Sequence, residues 1–252
     1  MKQLMFLASL FLSFLMNSNI FAASGSEAKI NLELRVHIIT NLKMKKERLE
    51  MECWLTEKDF DKVVLPELNK IWAPANISFT KGPLTYSPAL EADDKEQLIS
   101  NIVNAKRNSS GKSDPLRMES LRKLIDWKQH DNKVINIYFV PYLGETFQGV
   151  ASTSRRGKIV RRSAFVGVYT DKPSGAKKKP QKFTLMERKQ RFKIGSISRT
   201  LAHEVGHLLG LSHPDPKTQK KYGLVMGGKK PGYEFTQEEM VLARKNAVKI
   251  SK

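Results

Sequence analysis

The strongest constraint on the fold is the string at residues 203–213, HEVGHLLGLSH. It places two histidines four residues apart, with a glutamate directly after the first of them. Residues four apart share one face of an α-helix, so His203 and His207 can direct imidazole nitrogens to one point. The segment is therefore predicted to be a helix that carries two ligands of a single metal ion.

The end of this helix supplies the third predicted ligand. Gly210 can adopt the left-handed conformation that ends a helix, which turns the chain so that His213 reaches the same ion. Three protein ligands leave one coordination position for water, and this arrangement is typical of catalytic rather than structural zinc. We therefore expect Zn²⁺ bound by His203, His207 and His213.

Glu204 follows the first ligand but lies off its face of the helix. A carboxylate there can take a proton from the zinc-bound water and later return it to a leaving amine. Zinc lowers the pKa of its water to about 7 and polarises a substrate carbonyl group. The predicted reaction is peptide-bond hydrolysis without a covalent intermediate, with Glu204 as general base and general acid.

Other interpretations of the motif stay open at this point. Two histidines at this spacing can occur on a helix by chance, or can belong to a closed structural zinc site. Some zinc enzymes take the third ligand from a glutamate on a later helix, and this chain offers Glu234, Glu238 and Glu239. The glycine at position 210 favours His213 over these carboxylates.

The motif HExxHxxGxxH resembles that of the metzincins, a clan of zinc endopeptidases with a methionine-containing turn beneath the metal. Residues 224–227, LVMG, resemble that turn, and the segment follows His213 at a distance of about a dozen residues. The resemblance implies that Met226 packs under the three imidazoles without binding zinc. It also implies a single α+β domain with a twisted mixed sheet, long helices, an active-site helix under a cleft, and a small C-terminal subdomain containing the methionine turn and a final helix.

The family within the clan is not assigned. Pro214 is similar to the serralysins, yet Gly228 stands where serralysins and astacins carry a tyrosine. An additional tyrosine ligand is therefore not predicted. Tyr222 and Tyr233 are expected to pack against other residues or to lie at the surface.

The N-terminus predicts export. Lys2 precedes an apolar stretch at residues 4–16, which is followed by small residues at 22–24. This order is typical of a secretory signal peptide, and the stretch is shorter than the roughly 20 residues that a membrane-spanning helix needs. We expect a signal peptide at residues 1–23 and a monomeric catalytic domain at 24–252, secreted or periplasmic, with no transmembrane segment after cleavage. Cys53 is the only cysteine, so we expect a buried inert thiol and no intramolecular disulfide.

The net charge is strongly positive, because 44 Lys and Arg stand against 25 Asp and Glu, which gives +19. Such an excess attracts polyanions, so an anionic surface, a polysaccharide or an acidic substrate is a candidate partner besides a protein or peptide substrate. Nucleic acid is not expected as a partner, because an exported protein is separated from it and the sequence has no recognition motif. The alternative function is an exported basic polyanion-binding protein with a vestigial zinc site.

Hydrophobic periodicity predicts the elements around the motif. Strands are expected at 32–38, 77–80, 134–140 and 164–169, with His37 on the polar face of the first. Helices are expected at 56–72, with a kink or split at Pro66, and at 91–106, 115–128 and 236–250. Ser196 or Ser198 is expected to cap the motif helix, and His130 to lie in a loop or at the surface. The metzincin resemblance adds an edge strand within 149–162 that binds the substrate backbone.

Overall fold

A computed structural model describes residues 28–105, 115–126, 130–145, 148–157, 159–171, 180–185, 196–215, 225–227 and 232–251. Its strands are β1 (Ile30–Thr40), β2 (Met44–Lys46), β3 (Leu49–Met51), β4 (Ile77–Pro88), β5 (Ile135–Val140), β6 (Gly149–Arg156), β7 (Ile159–Gly167), β8 (Tyr169–Asp171) and β9 (Pro180–Lys182). Its α-helices are α1 (Glu57–Asp59), α2 (Leu65–Trp72), α3 (Lys95–Val103), α4 (Pro115–Leu124), α5 (Ile197–Leu208) and α6 (Gln237–Ile250). The predicted signal peptide, most of the lysine-rich stretch at 171–193 and Tyr222 lie outside these residues.

The main sheet is mixed, with the strand order β4-β1-β5-β7-β6. The first four of these strands run parallel, and β6 pairs with β7 in the antiparallel direction. All six residues of β5 are buried, as predicted for a strand that is covered on both faces. β6 is an edge strand of the sheet, which confirms that an edge strand lies within residues 149–162.

The two faces of the sheet pack against different helices. Gly149 of β6 abuts Thr200 and Glu204 of α5, so we name the face that carries Gly149 the α5 face. On the opposite face, Arg122 of α4 donates a hydrogen bond to Ser152 Oγ at 3.1 Å. The sheet therefore separates the motif helix from α4, and β6 contacts both.

β4 is longer than the strand predicted at 77–80, because it pairs with β1 over almost its whole length. The register shifts between Leu34 and Val36, whose partners are Lys81 and Leu84. Gly82 and Pro83 thus lie in an irregularity of an edge strand, where a proline that cannot donate to the ladder is tolerated. The glycine and proline broke the sequence pattern without ending the strand.

The helix predicted at 56–72 is divided as expected before Pro66. Thr56 and Asp59 form a capping box at its start. A π-helical turn, Phe60–Val64, then leads into α2, where Pro66 occupies the first turn and needs no hydrogen-bond acceptor.

Two histidines are more buried than expected: His37, predicted on the polar face of β1, and His130, which does lie in a loop before β5, one of its two predicted places. His37 is 1% exposed and stacks on Tyr138 with 4.6 Å between ring centroids. His130 is 9% exposed, and its Nδ1 lies 3.0 Å from the Tyr138 hydroxyl. The polar face of β1 is therefore covered, because helices pack on both sides of the sheet.

The last helix, α6, begins at the capping box of Thr236 and Glu239, in agreement with the prediction. Arg244 donates hydrogen bonds to the carbonyl oxygens of Ala75, Asn76 and Ala28, at 2.9, 3.2 and 3.1 Å. These bonds attach the end of the chain to the starts of β1 and β4. Among the described residues, no helix is long and apolar enough to cross a membrane.

Cys53 is half-buried, and burial raises the pKa of its thiol to about 12. The reactive thiolate is therefore scarce at neutral pH, which agrees with the inert role predicted for this residue.

Candidate metal centre

Helix α5 carries the motif and has the predicted boundaries. Its N-cap is Ser196, whose hydroxyl accepts a hydrogen bond from the backbone N–H of Arg199 at 3.2 Å. The helix ends at Leu208, and Gly210 follows with φ of +85°, in the left-handed region that glycine favours. Asn246 of α6 donates to the Leu209 carbonyl at 2.9 Å, so the turn that redirects the chain is held from outside.

This turn brings the three motif histidines together. The Nε2 atom of His203 lies 3.1 Å from that of His213 and 3.2 Å from that of His207, and the remaining pair is 3.2 Å apart. Within the described part of the chain, these three residues form a group whose ligand atoms can hold one metal ion. His203 and His207 are half-buried and His213 is exposed.

Backbone carbonyl groups fix the protonation of two of these rings. His203 Nδ1 lies 2.8 Å from the carbonyl oxygen of Val225, and His207 Nδ1 lies 2.9 Å from that of Leu211. A carbonyl oxygen only accepts, so both Nδ1 atoms carry the proton and both Nε2 atoms have a free lone pair. Metal-binding histidines are commonly oriented in this way by a partner of the second ring nitrogen.

The surroundings of the rings also keep them neutral. The pKa of His203 is lowered to about 3, chiefly by burial and also by the positive charge of Arg199, while the Val225 carbonyl opposes both. Burial likewise lowers the pKa of His207. Neutral imidazole is the form that binds a metal, so the site is ready for one at neutral pH.

Glu204 lies between the motif helix and the edge strand. Its side chain is 5% exposed. A Cβ atom on Gly149 would lie 2.6 Å from Glu204 Oε1 and 2.8 Å from Thr200 Cγ2, so a larger residue there would force one of these side chains or the strand to move. Gln148 also approaches the helix, with its Oε1 3.5 Å from the Thr200 hydroxyl. The predicted base therefore sits where β6 begins.

Arg199, one turn before His203, was not predicted from the sequence. It is 5% exposed, and its Nη2 donates to the carbonyl oxygens of Val225 at 2.7 Å and Gly227 at 2.8 Å. Burial lowers its pKa to about 10, so the guanidinium stays charged at neutral pH. One sequence signal could have identified this residue: it is an arginine four residues before the first predicted ligand, on the side of the helix that faces the core.

Met226 belongs to the segment that Arg199 holds. Its side chain is fully buried and packs against Gly206, where any side chain would overlap the methionine sulfur. Met226 therefore touches the helix between the turns that carry His203 and His207. Its predicted place beneath a bound metal stays a prediction.

The alternative carboxylate ligands have other environments. Glu239 Oε2 accepts a hydrogen bond from the backbone N–H of Thr236 at 2.8 Å, and Glu234 and Glu238 are exposed. Among the described residues, the group that can hold a metal contains none of the three. His213 is thus the third member of the cluster, at the spacing that Gly210 makes possible.

No protein-family model matches this chain, and a search of curated proteins finds no relative.

Proposed function

We propose that this protein is an exported zinc-dependent endopeptidase of the metzincin type. The observation that carries the proposal is the convergence of three imidazole Nε2 atoms, two of them fixed as acceptors, beside a buried glutamate. Ligands about 2.0 Å from a tetrahedral zinc ion lie roughly 3.3 Å apart, close to the observed separations. Three imidazoles are also a donor set that suits Zn²⁺.

His203, His207 and His213 would hold the ion. When bound, zinc would supply a Lewis acid that polarises the scissile carbonyl group and makes water more acidic. Glu204 accepts the proton of the attacking water and delivers it to the nitrogen of the leaving amine. Burial of its carboxylate between α5 and β6 limits its motion, which keeps the base close to the reacting groups.

β6 would bind the substrate. Among the described residues it has no strand partner on the side away from β7, so its backbone N–H and C=O groups are available to an extended peptide. The strand begins at Gly149, which lies against Glu204, so a peptide added to the strand passes the proposed catalytic carboxylate. Main-chain hydrogen bonds give affinity for any polypeptide, so this part of the site favours an endopeptidase.

The proposal is tested with a diverse peptide library and three proteins incubated with zinc: the wild type, Glu204→Gln and His213→Ala. Mass spectrometry reads the cleavage sites, and elemental analysis reads the zinc. We expect the wild type alone to cleave, Glu204→Gln to retain zinc without cleaving, and His213→Ala to lose zinc affinity as well. Equal cleavage by the wild type and Glu204→Gln would overturn the mechanism.

The alternative, an exported polyanion-binding protein with a vestigial zinc site, rests on the charge of +19. It makes the opposite prediction for the same variant. Glu204→Gln would then leave function intact, whereas neutralising lysine and arginine residues would remove it. Retention of the wild-type protein on an anionic resin, with no cleavage of any peptide, would favour this alternative.

A further inference from the structure

The edge strand leads from Glu204 to a pair of arginines on the same face of the sheet. Side chains alternate along a strand, so Gly149, Ala151, Thr153 and Arg155 all lie on the α5 face. Arg162 of β7 is directly opposite Thr153 in the antiparallel ladder, which places it on that face too. Arg155 and Arg162 are therefore diagonal neighbours at the far end of β6.

These two arginines have no acidic partner among the described residues. Arg155 is exposed and Arg162 is half-buried, and none of the observed ion pairs includes either of them. Burial and the neighbouring charge of Arg155 both lower the pKa of Arg162. Two like charges side by side favour an anionic group between them, and Arg155 is exposed to solvent, from which such a group can reach it.

The length of the strand sets the distance of this pair from the scissile bond. Gly149 and Arg155 are six residues apart, which is about 20 Å of extended chain. A peptide that pairs with β6 in the antiparallel direction, the stronger of the two pairings, runs from Arg155 toward Gly149. Its residues near the arginines therefore precede the scissile bond by about four to six positions.

We propose that Arg155 and Arg162 select polypeptide substrates with acidic side chains about four to six residues N-terminal to the cleaved bond. The inference rests on the proposed peptidase function and adds a substrate class to it. Main-chain pairing along β6 gives affinity for any extended polypeptide, and the arginine pair gives the preference for those with acidic side chains at these positions. Partly exposed ion pairs are weak, so two of them give roughly a 2- to 30-fold preference, which corresponds to about 0.4 to 2 kcal/mol.

The neighbouring Arg161 provides a matched control. It is opposite Ser154, so its side chain lies on the face away from α5. Its charge acts on His130 and Tyr138, which belong to that other face. Arg161→Gln removes the same charge from the same hairpin, but from the side that the proposal does not use.

The experiment compares three peptides of equal length around one cleavable bond. The first has two Asp residues at the fourth and sixth positions before the bond, the second has Asn there, and the third has the Asp residues after the bond. We measure kcat/KM of each with the wild type, Arg155→Gln/Arg162→Gln and Arg161→Gln. Because each variant is its own reference, a ratio between peptides is insensitive to the fraction of folded enzyme.

We expect the wild type to prefer the first peptide over the second by about 2- to 30-fold at low salt, with the preference falling as salt is raised. The double variant should bring that ratio close to one, and Arg161→Gln should keep it. A wild type that cleaves no peptide would defeat the peptidase proposal itself. Equal cleavage of the first two peptides, preference for the third, or an equal loss in Arg161→Gln would overturn the arginine inference alone.

Discussion

The carbonyl oxygen of Val225 accepts two hydrogen bonds, one from His203 Nδ1 at 2.8 Å and one from Arg199 Nη2 at 2.7 Å. Arg199 thus fixes the group that orients the first proposed zinc ligand. It also holds Gly227, on the other side of Met226. At the scale of single residues, Arg199 is a positioning residue for both the ring and the methionine segment.

Loss of Arg199 should weaken zinc binding without removing a ligand. In Arg199→Met the Val225 carbonyl loses its second donor, and we expect the zinc dissociation constant to rise about 10- to 100-fold, the usual cost of removing such support. Competition with a chelating dye measures it. Arg244→Met is the control, because Arg244 also donates to three backbone carbonyls but lies on α6. Equal zinc affinity of Arg199→Met and the wild type would refute this role.

Gly149 is the second residue at which a substitution tests the site. Here the change adds a single carbon atom, and cleavage activity should fall. The added Cβ of Gly149→Ala would lie 2.6 Å from Glu204 Oε1, so the carboxylate or the strand must move. We expect kcat/KM to fall by about tenfold or more, since small misplacements of catalytic groups are costly. Zinc content should stay normal.

Ser152→Ala is the comparison for Gly149→Ala, because Ser152 lies on the same strand but faces α4. Its cleavage rate should stay near that of the wild type. Full activity of Gly149→Ala would show that the close approach of β6 does not position the base.

At the scale of elements, periodic patterns predicted the positions of most of the longer helices and strands, but not the short strands β2, β3, β8 and β9 or the strand order. The sequence predicted four features that depend on residues within one segment: strand β5, the capped helix before Pro66, the Ser196 cap and the final helix. The length of β4 was underestimated, because its pairing with β1 continues past the irregularity at Gly82 and Pro83. Arg199 was missed for a similar reason, since its acceptors lie in a loop far along the chain.

The burial of His37 was also missed because it depends on contacts with other segments of the chain. It gives a prediction about how the stability of the protein changes with pH. The pKa of His37 is lowered to about 4, chiefly by burial, while the neighbouring Asn136 side chain opposes this shift and the charge of Arg35 adds to it. In the unfolded chain the pKa is near 6.5, so the unfolded state binds more protons between these values. The contribution of neutral His37 to the free energy of unfolding is therefore present above pH 6.5 and is lost as the pH falls toward 4.

His37→Phe keeps a ring against Tyr138 but cannot be protonated. Between pH 7 and pH 5, its free energy of unfolding should therefore fall by about 2 kcal/mol less than that of the wild type. Urea denaturation at the two pH values measures this difference. The other histidines are present in both proteins and serve as the internal control. Parallel pH profiles of the two proteins would contradict the prediction.

At the scale of the whole molecule, zinc binding should stabilise the fold. The three histidines come from α5 and from the segment after Gly210, so an ion that binds them holds these parts together only in the folded state. At a free zinc concentration 100 times the dissociation constant, the gain is about 2.7 kcal/mol. Urea denaturation with zinc and with a chelator measures it.

Two variants separate this stabilisation from catalysis. Glu204→Gln should gain as much stability from zinc as the wild type, and His213→Ala should gain clearly less. An unchanged urea midpoint in wild-type protein after chelation would argue against a bound ion.

The contact of Arg244 with the Ala28 carbonyl joins residues 216 positions apart. The last helix of the described chain thus holds the start of its first strand. A chain truncated before α6 would lack the donor for the carbonyls at the starts of β1 and β4. A contact between segments so far apart in sequence closes a very large loop, which costs more chain entropy than a local contact does, so we expect it to form late in folding.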